Sequence, residues 1–137
     1  MDGICRWGIL GAAEIARKNW QAIRNAPNCR LTAVASRDLA KCRQFVAECQ
    51  RHAPMAPPPQ ACGSYEELLA RDDVDAVYVP LPTGVRKPWL LRAAAAGKHV
   101  LSEKPAGVSA ADVQEILDAC RRHGVQFMDG VMFMHSR

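Results

Sequence analysis

Two hydrophobic periods alternate along the chain: short apolar runs of strand length, and segments whose apolar residues recur every three or four positions. Residues 6–10 (RWGIL) read as a buried strand, and residues 14–24 then carry Ile15, Ala16, Trp20 and Ile23 at helical spacing. Residues 31–35 (LTAVA) predict a second strand, followed over 38–50 by a helix with Leu39, Cys42, Phe45, Val46 and Cys49 on one face. The stretch 52–60 (HAPMAPPPQ) holds four prolines, which sustain neither a helix nor a central strand, so it predicts a surface loop. Ser64-Tyr-Glu-Glu67 has the spacing of a capping box and opens a short helix over 65–70. Residues 73–79 lead into a third strand that Pro80-Leu81-Pro82 stops.

An alanine-rich helix is expected over 86–96 with Gly97 beyond its end, then a strand over 99–102. Ser109 caps a longer helix with Val113, Ile116, Leu117 and Cys120 on one face; Gly124 ends it and residues 125–128 make a fifth strand. Strands alternating with helices predict an α/β fold, a doubly wound parallel sheet of five main strands with right-handed crossovers. A length of 137 residues suits a single domain.

Composition narrows the function classes. A hydrophobic fraction of 49% with 23% charged residues is that of a folding chain rather than a disordered one. No apolar run nears the ~20 residues of a membrane helix, and the start of the chain enters strand pattern too soon for a signal peptide, so a cytoplasmic protein without membrane insertion is expected. The six cysteines show no C-x-x-C pair and no histidine at ligand spacing, which predicts reduced, mostly packed thiols and no metal site. The net charge of +4 arises from 18 basic and 14 acidic residues mixed along the chain, which argues against nucleic acid as a partner. Arg121, Arg122 and His123 are the densest basic patch and fall at a helix end, where cations oppose the helix dipole.

The first strand–helix junction carries the candidate chemistry. Gly11-Ala-Ala-Glu-Ile-Ala16 follows a strand and opens a helix, as a dinucleotide-binding turn requires, so Gly11, Ala13, Glu14 and Ile15 are candidate cofactor residues. Alanine replaces the middle glycine of the G-x-G-x-x-G/A pattern at residue 13, a change tolerable only where the backbone is right-handed. An acidic residue ending the second strand favours NAD, whereas a basic one accommodates the 2′-phosphate of NADP. Here Ser36 and Arg37 stand in that place, favouring NADP, while Asp38 leaves room for NAD; the alternative is that Ser36 and Asp38 serve only as helix caps and Arg37 is solvated.

Residues 76–83 (AVYVPLPT), 97–105 (GKHVLSEKP) and 126–132 (QFMDGVM), with SYEELL and the opening turn, together resemble the N-terminal half of the glucose-fructose oxidoreductase/inositol dehydrogenase family, and within it the dihydrodiol-dehydrogenase-like branch. The resemblance implies a Rossmann domain serving NAD(P)-dependent hydride transfer to or from a sugar-like or diol hydroxyl. It also implies roles: Lys104 as the catalytic residue that holds the nicotinamide ribose and assists proton transfer, Glu103 positioning the cofactor, and Pro80, Leu81 and Thr83 at the ligand-binding strand edge. Arg86 departs from the histidine usual in the related pattern.

Full-length members continue beyond the equivalent of residues 132–137 into a second domain carrying the substrate pocket and usually the dimer interface. The expectation that follows is a cofactor domain spanning 1–137, incomplete alone, with a protein partner or a further copy covering the edge through Met132, Phe133 and Met134. His135 is expected to be a linker residue. Two other roles fit the same sequence: a non-catalytic Rossmann scaffold within a larger assembly, and a nucleotide sensor.

Overall fold

The computed structural model describes residues 3–130. Its elements follow the expected alternation: β1 (Cys5–Leu10), α1 (Ala16–Asn25), β2 (Cys29–Ala35), α2 (Leu39–His52), β3 (Gln60–Cys62), α3 (Tyr65–Leu69), β4 (Ala76–Val79), α4 (Thr83–Ala95), β5 (His99–Ser102), α5 (Ala110–Arg122) and β6 (Phe127–Asp129). The strands form one sheet in the order β3-β2-β1-β4-β5-β6, every neighbouring pair parallel. Strand order reverses between β1 and β4, and a doubly wound sheet opens its ligand crevice beyond the carboxyl ends of the strands at that reversal.

Both faces are covered, as the continuous apolar strands require. α1 and α2 set Trp20, Ile23, Cys42, Phe45 and Cys49 against one face. α3, α4 and α5 set Leu68, Leu90, Ala93, Ile116 and Cys120 against the other.

Four expectations need correction. The sheet has six strands, because Gln60–Cys62 pairs with residues 33–35; three residues between Pro59 and Gly63 are too few to show a period. α4 starts at Thr83 rather than 86, with Pro82 as its N-cap, a position from which proline's fixed φ leads readily into a helix. The helix expected from 14 starts at Ala16, since Glu14 and Ile15 lie in a turn closed by Ala16 N–H to Ala13 O at 2.9 Å. The last described strand starts at Phe127 rather than at 125, because Val125 N–H bonds Cys120 O at 3.0 Å and so closes α5.

The helices begin in two ways. Asp38, Ser64 and Ser109 cap α2, α3 and α5 with their own side-chain oxygens. α1 and α4 have no side-chain cap. These two uncapped helices are the ones that follow β1 and β4, the strands on either side of the crevice.

The opposite, amino edge is tied by Asp75. Its carboxylate accepts from Arg6 N–H at 2.9 Å, Nε at 3.0 Å and Nη2 at 2.8 Å, joining β1 to the approach to β4. Chiefly through these Arg6 hydrogen bonds, the Asp75 carboxyl is lowered from 3.8 to about 2. A lowered folded-state value contributes stability that is full above the unfolded value and is lost as pH falls through the folded one. Asp75→Asn is therefore expected to cost about 1–2 kcal/mol at neutral pH, allowing for screening by solvent at the half-exposed Arg6. In urea melts the gap from wild type should close between about pH 4 and about pH 2; a gap independent of pH would show that shape, not charge, matters there.

All six cysteines are free thiols, four buried and Cys5 and Cys29 half-buried. Burial pushes the Cys42 thiol up to about 11, which keeps it unreactive. Among the described residues, no helix is long and apolar enough to cross a membrane, and no group of three or more His, Cys, Asp or Glu side chains could hold a metal ion.

Candidate functional site

Four strand-end turns meet at the carboxyl edge. The first, after β1, is organised by Gly11, whose φ of +125° is open to glycine and strained for any L side chain. Its N–H bonds Ala35 O at 2.9 Å, and a Cβ built on it would stand 3.0 Å from Leu81 Cδ2. Gly11 therefore lets the β1 and β4 turns touch. Ala13 follows with an ordinary backbone, since no non-glycine among the described residues has positive φ, and its methyl meets the condition under which alanine can replace the middle glycine. Glu14 is exposed and pairs with Arg17 at 3.0 Å. Ile15, 41% exposed, sits at the uncapped start of α1. The first N–H groups of the helix close tight turns onto Ala13 O, Glu14 O and Ile15 O at 2.9, 3.1 and 3.2 Å, so what this start offers an anion is the positive end of the α1 dipole with no side-chain cap in front of it.

The second turn, after β2, carries Ser36 and Arg37. Ser36 Oγ accepts the Asp38 N–H at 3.3 Å, leaving its own proton to donate, and Asp38 caps α2 through Lys41 N–H at 3.2 Å. Asp38 alone caps α2, through Oδ1, while Ser36 closes the turn before it. Arg37 is exposed and has no ion-pair partner among the described residues.

The third turn, after β4, buries Pro80 and Leu81 and presents half-buried Thr83 at the first turn of α4. The fourth, after β5, holds Glu103, Lys104 and Pro105. Tyr78 Oη donates to Glu103 Oε1 at 2.6 Å, and burial, reinforced by that carboxylate, pushes the phenol above its ordinary range. Tyr78 thus stays a proton donor that orients Glu103. Lys104 is exposed, and its ammonium makes no hydrogen bond or ion pair among the described residues.

Two contributors go beyond the candidate set, Tyr78 and the Arg86 that stands in place of the related pattern's histidine. Tyr78 reads in the sequence as one more apolar strand position. Arg86 is 4% exposed; its Nε and Nη2 donate to Leu81 O at 2.8 and 2.6 Å, while Nη1 donates to Glu103 O and Pro105 O. A signal for it existed: Arg86 shares a helical face with Leu90, Ala93 and Ala94, a place where a cation needs acceptors. Met132, Phe133, Met134 and His135 lie outside the described residues. Hollows of 470 and 490 Å³, lined in part by Cys29 and Arg30 and by Cys5 and Asp75, open at the amino ends of the strands. The four turns instead form an open ledge.

A doubly wound parallel sheet, with a glycine turn and an uncapped helix start at its reversal, defines a Rossmann-type nucleotide-binding domain. The chain belongs to the oxidoreductase family with an NAD-binding Rossmann fold, the glucose-fructose oxidoreductase/inositol dehydrogenase group, whose pattern matches residues 5–131. It is 43% identical over 131 residues to a dTDP-3,4-didehydro-2,6-dideoxy-α-D-glucose 3-reductase of Streptomyces violaceoruber, covering 95% of this chain and 36% of that protein. It is 37% identical over 128 residues to the trans-1,2-dihydrobenzene-1,2-diol dehydrogenase of Mus musculus, covering 92% and 36% respectively, which bears out the likeness to dihydrodiol dehydrogenases. A 3-ketoreductase from Actinomadura kijaniata, solved with NADP and TDP-benzene, superposes with a TM-score of 0.86 at 35% identity, over 97% of this chain and 39% of that one. The chain spans little more than a third of the length of these relatives.

Proposed function

We propose that this domain binds NADP in preference to NAD and serves as the cofactor half of an oxidoreductase acting on a sugar-like or diol substrate. The observation that supports the reading is the division of labour after β2: Asp38 Oδ1 caps α2, whereas the exposed Arg37 guanidinium has no partner among the described residues and follows Ser36, whose hydroxyl proton is left to donate. A guanidinium suits a phosphate far better than a ribose hydroxyl. The solved 3-ketoreductase with NADP supports the same choice.

In this reading Gly11, Ala13, Glu14 and Ile15 bring the start of α1 against the pyrophosphate. Pro80, Leu81 and Thr83 border the nicotinamide ribose, and Glu103, held by Tyr78, helps to seat that end of the cofactor. When bound, the cofactor accepts or supplies a hydride. Lys104 exchanges the accompanying proton with the substrate oxygen, a task for which an exposed, unpaired ammonium is accessible. Ile15, Leu39, Val85 and Val108 are exposed apolar side chains at helix starts or in a preceding turn, all on this edge. Their placement fits an edge covered in use, and we assign the substrate-facing wall to a second domain or a partner chain.

Calorimetric titration with NADPH and NADH tests the reading. Wild type should bind NADPH more tightly, and Arg37→Ala should weaken NADPH by about ten- to a hundredfold, the worth of a charged hydrogen-bonded pair, with little effect on NADH. Equal losses for both nucleotides would remove Arg37 from the 2′-phosphate. No binding of either by wild type would favour a scaffold without cofactor.

A further inference from the structure

We propose that Arg86 is a positioning residue that fixes Lys104 by gripping the peptide carbonyls on either side of it; the consequence for catalysis rests on the cofactor reading above. Glu103 O and Pro105 O, the two carbonyls that flank Lys104, both accept from Arg86 Nη1. The other arm of the same fork, Nε and Nη2, holds Leu81 O in the β4 turn. One planar group therefore locks the β4 and β5 turns together. It does so from within the protein, being 4% exposed, while the Lys104 side chain is exposed and held by no partner among the described residues. Nothing at its own tip places Lys104, so its position is inherited from its backbone, and that backbone is tied through Arg86.

The arrangement has a cost that marks it as more than packing. The Arg86 fork ends on neutral carbonyls, and burial pulls its pKa below the ordinary value, opposed by the nearby Glu103 carboxylate. An apolar side chain would extend the buried face of Leu90, Ala93 and Ala94 without that desolvation, but would take the Arg86 donors from Leu81 O and Pro105 O and leave Glu103 O with the Ser102 hydroxyl at 3.0 Å. Lysine cannot substitute: a single ammonium on a flexible stem lacks the fork needed to reach both turns at once. The histidine of the related pattern has two ring nitrogens on a shorter side chain, so this grip belongs to the arginine found here.

The test uses the 137-residue chain as wild type, Arg86→Lys and Arg86→Ala. Without any nucleotide, amide hydrogen exchange in residues 81–87 and 102–108 should be at least about tenfold faster in both variants, with β1 and β2 unchanged. Unaltered exchange in those segments, or a uniform rise throughout, overturns the clamp; Arg86→Lys keeps the charge and serves where the alanine variant fails to fold. Calorimetry then compares NADPH with adenosine 2′,5′-bisphosphate, which lacks the nicotinamide half. Arg86→Lys should weaken NADPH about tenfold and leave the bisphosphate unchanged. Equal loss of both would overturn the positioning role, because general loosening affects both ligands. If wild type binds neither, the cofactor reading falls, and the exchange data alone decide the clamp.

Discussion

Gly11→Val is expected to weaken NADPH at least about a hundredfold and to destabilise the domain by about 2–5 kcal/mol. Two independent costs add at this position. The backbone at +125° is a conformation that a β-branched residue adopts only under strain, of order 1–3 kcal/mol. A Cβ there would also stand 3.0 Å from Leu81 Cδ2 and 3.7 Å from Pro80 Cγ, and valine adds two further methyl carbons. Leu81 has little freedom to withdraw, since it is 7% exposed and its carbonyl is held twice by Arg86. Relief must come from the β1 turn, and that moves the start of α1 away from the pyrophosphate it is proposed to meet. Urea melts and calorimetry on the same preparation check both halves. Wild-type stability together with wild-type affinity would show that the turn accommodates a side chain and that Gly11 is not its organising residue.

The same turn shows how far the sequence alone reaches. Strand–turn–helix order, the glycine and the small residues after it are local features, and local periodicity was enough to find them. Whether Ala13 weakens the turn depends on its φ, which follows from how β1 meets its neighbours and cannot be read from residue types. The short strand β3 escaped for a related reason: Gln60–Cys62 extends because it pairs with β2, not because of its own pattern. Arg86 could be recognised as unusual on an apolar helical face, but its acceptors lie on two loops 5 and 17–19 residues away in the chain. Only the fold brings those carbonyls together. By contrast Asp38, Ser64 and Ser109 cap their helices within three residues, and such contacts were legible from the start.

Trp20→Ala should be the most damaging packing change and should act without touching the ledge. Trp20 is 1% exposed, stands edge-on to Phe45 at a centroid distance of 6.4 Å, and donates Nε1–H to Ala53 O at 2.8 Å. It thereby joins α1 to the C-cap of α2. Truncating a buried aromatic costs about 3–5 kcal/mol, a large share of the ~5–15 kcal/mol total for a domain of this kind, so the variant should melt well below wild type. Trp20→Phe keeps most of the ring and loses only the donor to Ala53 O, for about 1–3 kcal/mol, and should remain folded for measurement. That difference separates packing residues from site residues. A ligand that binds only the folded state stabilises by about 2.7 kcal/mol at a concentration one hundred times its Kd, whatever the starting stability. Trp20→Phe should therefore melt earlier than wild type yet show the same stabilisation by saturating NADPH, whereas Gly11→Val should melt earlier and show almost none. Loss of the NADPH response in Trp20→Phe would mean that the α1–α2 joint also sets the geometry of the helix start, and the packing layer would then belong to the site.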